Sequence, residues 1–67
     1  MEDYLKRMLV EQKELKEKVA KLEMFIDSYK FRSLTQDNQK LLKKQLSYML
    51  GYLNTLTERI VLNGGLK

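Results

Sequence analysis

Cysteine and histidine are both missing from this chain of 67 residues. Without cysteine there is no disulfide staple and no thiolate metal site. Without histidine the usual zinc and haem ligands are gone, and so are Ser-His and Cys-His catalytic pairs and any side chain that titrates unperturbed near neutral pH. No apolar run approaches the roughly eighteen residues of a membrane span. The acidic start Met1-Glu2-Asp3, with no apolar stretch behind it, does not read as a secretory signal. A soluble, cytoplasmic protein without cofactor is therefore expected. Paired carboxylates tuned for acid–base work need burial, and every acid here falls on an outer helix face or at a helix end, so no enzyme activity is expected either.

What the chain does have is two apolar stripes spaced alternately three and four residues apart. The first is Leu5, Met8, Gln12, Leu15, Val19, Leu22, Ile26 and Tyr29, and the second is Leu42, Leu46, Met49, Leu53, Leu56 and Ile60. Residues so spaced share one face of a helix, which predicts two helices packed along their length. The first should run over residues 2–28, its acidic start suiting the positive end of the helix dipole. A hinge is expected at 29–35, where Thr35 reads as the N-cap of the second helix and Ser33, with Gln36 three residues on, is the competing cap. The second helix should cover 36–62, and Asn63-Gly64-Gly65 opens a glycine-containing tail over 63–67 that can close it in the left-handed conformation. Two helices of about 40 Å joined by a short hinge make an antiparallel hairpin, a single all-α domain.

The apolar surface is more than one hairpin can hide. Leu41, Gln45, Tyr48, Tyr52 and Arg59 form a second row beside the stripe of the second helix, and Leu9, Val10, Met24 and Phe25 fall off the stripe of the first. Ordering the chain costs on the order of 100 kcal/mol, at roughly 1.5 kcal/mol per residue, which a single two-helix seam does not easily offset. Coiled-coil-like hairpins are thus expected to associate into a homo-oligomeric bundle. Gln12, at a seam position, is either a register-setting polar group or a partly exposed glutamine near a helix end.

Charge is divided unevenly. Residues 2–27 hold seven acids and six bases, whereas residues 28–67 hold two acids and seven bases. Lys30, Arg32, Lys40, Lys43 and Lys44 gather around the hinge and the first turns of the second helix, a cationic side suited to an anionic partner, or a merely solubilising one. Gly51 lies in a row of small residues with Ser47 and Thr55, between Tyr48 and Tyr52. A glycine there can admit another backbone, leave room for a ligand, or simply be tolerated on a wet face. Tyr4, Arg7, Lys30, Arg32, Lys44, Tyr48, Gly51, Tyr52 and Arg59 are the candidate ligand residues, tyrosines to stack on bases and cations to hold phosphates. Two long helices make a rod, so a DNA-reading helix-turn-helix is not expected.

The pattern Phe31, Ser33-Leu34-Thr35, Gln39, Leu41-Leu42, Gln45, Met49, Tyr52, Leu56, Arg59-Ile60 resembles small helical hairpins encoded by bacteriophages and prophages. It is similar to the anti-CBASS and anti-Thoeris sponges that inhibit cyclic-nucleotide-based host defence. The resemblance implies a compact oligomer, in the host cytoplasm, that sequesters a cyclic di- or trinucleotide or a cyclic ADP-ribose species in pockets between protomers. A second reading is a protein-interaction module that docks on a host protein and blocks it, since helix-in-groove docking needs only an exposed apolar stripe.

Overall fold

In the computed structural model, which describes residues 2–64, the chain forms α1 (Glu2–Ile26), α2 (Tyr29–Arg32) and α3 (Gln36–Leu62). The long helices α1 and α3 pack side by side in a body of 46 × 17 × 15 Å. Both stripes face inward except at Tyr29, the last position of the first. Leu5, Gln12, Leu15, Leu22 and Ile26 of α1 are half-buried around buried Met8 and Val19, while Leu42, Leu46, Met49 and Leu53 of α3 lead to fully buried Leu56 and Ile60. Met8, Leu56 and Ile60, with Leu5 against them, form the core near the open end of the hairpin. Gln12 Nε2 donates to Thr57 Oγ1 across the seam at 2.9 Å, and Thr57 in turn donates to the Leu53 carbonyl at 2.9 Å. The glutamine is therefore half-buried and partnered rather than a loose end of the helix.

The hinge departs from expectation. α1 stops at Ile26, short of residue 28, and a full helical turn lies inside the segment expected to be irregular. Ser28 makes the break: its backbone is extended (φ −88°, ψ 160°), its Oγ accepts from the Phe31 amide at 3.4 Å, and the same hydroxyl donates to the Phe25 carbonyl at 2.5 Å. One serine thus closes α1 and caps α2. The reward for the break is Phe31, only 4% exposed, which packs edge-to-face on Phe25 at 6.2 Å with Lys43 Nζ 5.9 Å from its centroid. Because the helix axis changes at Asp27-Ser28, Tyr29 loses the register of the first stripe and is 75% exposed, not buried at the seam.

Thr35 is the N-cap of α3, its Oγ1 accepting from the Asn38 amide at 3.2 Å and from Asn38 Nδ2 at 3.0 Å. Ser33 instead terminates α2, bonding back to the Lys30 carbonyl through both its amide and its hydroxyl. Gln39 Nε2 reaches back to the Leu34 carbonyl at 2.9 Å and the Arg32 carbonyl at 3.3 Å, so the hinge is held from α3 as well. At the far end Asn63 stays right of the left-handed region, and Gly64 takes φ 82°. Gly65, Leu66 and Lys67, the rest of the expected tail, lie outside the described residues. No helix among the described residues is long and apolar enough to cross a membrane.

The hairpin is thin for its length. A compact monomer of 8.0 kDa exposes about 4,450 Å². This chain exposes 5562 Å², roughly 1,100 Å² more.

Candidate functional site

The row beside the α3 seam builds a concavity. Leu41, Gln45, Tyr48 and Tyr52 repeat at intervals of three and four, so they line up along one side of α3, with Lys44 on their outer edge. Half-buried Met49 and, from α1, half-buried Leu15 form the floor. The result is a groove of about 560 Å³, open to solvent along its length. Its walls are aromatic and wet: Tyr48 is 66% exposed, Tyr52 44% and Leu41 62%. Lys44 Nζ sits 5.9 Å from the Tyr48 ring, which places one cation against one stacking face. The Gln45 amide, on the same wall, offers both a donor and an acceptor.

One end of the groove is fixed by a carboxylate. The Tyr52 hydroxyl donates to Glu11 Oε2 across the hairpin. That hydrogen bond, with help from local desolvation and the negative charge of Glu11, raises the Tyr52 phenol above its ordinary range, against a lowering influence from Arg59. Toward the open end, Arg59 Nη2 donates to the Tyr4 hydroxyl, and the guanidinium lies 5.9 Å from the Tyr4 ring centroid. Both pairs obey one antiparallel register, since seven residues forward from Tyr4 to Glu11 match seven residues back from Arg59 to Tyr52.

The nine candidate residues do not converge on one spot. Lys44, Tyr48 and Tyr52 line the groove together. Gly51 is exposed beside them, and a methyl group there would meet nothing within 4 Å, so within the hairpin no backbone approaches it. Tyr4 and Arg59 satisfy each other near the open end. Arg7 lines a second, smaller concavity on α1 with Asp3, Lys6, Val10, Glu11 and Glu14, where three acids dilute two bases. Lys30 and Arg32 are exposed on α2, whereas Tyr48 is twelve residues, about 18 Å, along α3 from its first turn. Glu11 was not among the candidates, because a carboxylate does not suit an anion site. The register of the hairpin is the signal that places it opposite Tyr52. Among the described residues no group of three or more side chains could hold a metal ion.

Fold and groove together define a small all-helical hairpin with an exposed aromatic and cationic face. The Sequestin family model matches residues 2–62, and the chain belongs to that family, whose name suggests a sequestering protein. No curated protein and no solved structure matches the chain.

Proposed function

We propose that this protein is a non-enzymatic sponge of the phage anti-defence type: a homo-oligomer that sequesters a small anionic cyclic nucleotide in pockets between protomers in the host cytoplasm. The observation that carries the reading is the groove, where two exposed tyrosines, one lysine and a side-chain amide stand over an apolar floor. Each part has a job in binding such a ligand. Stacking of a base on an aromatic ring contributes about 1–3 kcal/mol, a lysine ammonium neutralises a phosphate oxygen, and the amide reads a base edge. Membership of a family named for sequestering supports a binder rather than a catalyst. The open side of the groove and the surplus surface of the hairpin support closure by another copy.

A thermal-shift panel tests this directly. A ligand that binds only the folded form stabilises it by about 4 kcal/mol at a thousand times its Kd. Cyclic di- and trinucleotides and cyclic ADP-ribose species should include at least one that raises the melting temperature, and native mass spectrometry of the same sample should report the bound mass with the protein stoichiometry. No shift with any of them at millimolar concentration rejects the reading. The second reading, docking on a host protein, draws on the exposure of Leu41, Tyr48 and Tyr52 at helical spacing, which suits a hydrophobic groove on a partner. It requires a stoichiometric protein in a pull-down and no small-molecule shift.

A further inference from the structure

The geometry points to a specific second copy on this groove: an antiparallel partner hairpin whose α3 crosses the first α3 on a two-fold axis at Tyr48, so that the ligand site is built from both copies. The inference rests on the sequestering reading above and adds the arrangement that completes its pocket.

Area comes first. The roughly 1,100 Å² by which the hairpin exceeds a compact monomer is comparable with the ~800 Å² that each partner buries in a standard stable interface. Part of this surplus is apolar surface on the groove face, where Leu41, Tyr48 and Tyr52 are all exposed and run on from the packed seam.

Charge then selects the orientation. A closed dimer presents the same patch twice, so each group on the face must meet something it tolerates. A parallel pairing would set Lys44 against Lys44. An antiparallel pairing about Tyr48 sets Lys44, four residues before the axis, opposite Tyr52, four residues after it, and Tyr52 already holds the Glu11 carboxylate. The Lys44 ammonium of the partner subunit is thereby brought to Glu11 in the empty dimer, a surface contact that a ligand phosphate would displace, and the symmetry repeats the pair. Tyr48 lies one residue from the midpoint of α3 (Gln36–Leu62), so this axis overlays the helices over nearly their full length. It also sets the basic hinge of each copy, with Lys30 and Arg32, at the open end of the other rather than against the other hinge. The groove becomes a pocket roofed by α3 of the partner subunit, and neither copy alone has a complete site.

The absence of cysteine makes the test clean. Tyr48→Cys should form an intermolecular disulfide under mild oxidation, seen as a doubled mass on intact mass spectrometry, while Asn54→Cys on the outer face of α3 should remain monomeric under the same treatment. Independently, Glu11→Lys and Lys44→Glu should each weaken self-association about tenfold in sedimentation equilibrium, as two symmetric surface contacts turn repulsive. The double exchange E11K/K44E should restore it. Cross-linking through Asn54 but not Tyr48, or a double exchange no better than the single ones, overturns this arrangement and leaves nucleotide binding standing. A chain that is monomeric at every concentration, with or without ligand, leaves the groove to a different occupant and overturns both.

Discussion

Leu56→Ala probes the packing on which the hairpin depends. Leu56 has no exposed surface and touches the cluster of Met8 and Ile60, with Leu5 beside them. The substitution removes three carbon atoms from that cluster, a transfer loss of about 2.4 kcal/mol at ~0.8 kcal/mol per methylene. Leucine-to-alanine changes in cores cost about 2–5 kcal/mol once the remaining cavity is included. With only two helices and no third layer, the neighbours can partly close in, which puts the expected cost near the lower end, about 3 kcal/mol. A chain of 67 residues has roughly 3–10 kcal/mol of stability in all. The melting temperature at fixed protein concentration, followed by far-ultraviolet circular dichroism, should fall by about 12–24 °C. Leu50→Ala is the control: the same change at a residue 43% exposed and outside the core cluster should cost under about 1 kcal/mol. Equal losses for the two variants, or a loss below about 1 kcal/mol at Leu56, would refute the placement of the core at Met8, Leu56 and Ile60.

Other substitutions read other parts of the argument. Thr57→Val should cost about 1 kcal/mol by orphaning Gln12 Nε2, and Gln12→Leu added to it should recover most of the loss in urea titration, since a half-buried amide without a partner is worse than none. Thr35→Ala should lower stability by about 1 kcal/mol by uncapping α3, whereas Ser33→Ala should leave the start of α3 intact, a difference amide hydrogen exchange at Asn38 would register. Gly51→Ala should raise the melting temperature by an amount equivalent to about 0.5–1 kcal/mol, because the added methyl meets open space; if the ligand shift disappears in the same variant, the glycine is kept for the ligand or for a second copy rather than for folding. The raised Tyr52 ionisation has a fixed sign. The folded state favours the neutral phenol, so this stabilisation is fully present below the unfolded tyrosine value near pH 10 and is lost as pH rises through the higher folded value. The stability difference between wild type and Tyr52→Phe should accordingly be flat across neutral pH and shrink in alkaline solution.

The two long helices were legible because burial along a helix repeats every 3.6 residues, and every stripe position from Leu5 to Ile26 and from Leu42 to Ile60 faces inward. Thr35 and Gly64 were legible for a local reason, since a cap is a contact between near neighbours in the chain. α2 was not. Four residues carry no periodicity, and what makes them helical is the tertiary burial of Phe31 against Phe25. Tyr29 was misplaced for the same reason, because extending a stripe presumes a straight axis and Ser28 bends it. In the groove, Tyr48, Tyr52 and Lys44 could be singled out as residue types, but Glu11 could be found only after the register of the two helices was known.

Folding and binding are expected to draw on the same surface in this protein. The five buried apolar side chains among the described residues, Met8, Val19, Phe31, Leu56 and Ile60, make a small core, and the exposed tyrosines of the groove contribute little to a lone hairpin. Burying that face beneath a second copy would give the chain the apolar contact it lacks, at ~25 cal/mol for each Å² removed from water. A ligand held between the copies would then bind only the assembled form and draw the equilibrium toward it. Under the sequestering function proposed above this coupling is useful, because capacity would depend on holding the ligand and not on turning it over. A slow, ligand-dependent dissociation of the dimer would therefore do the work that a deep preformed cavity does in a larger protein.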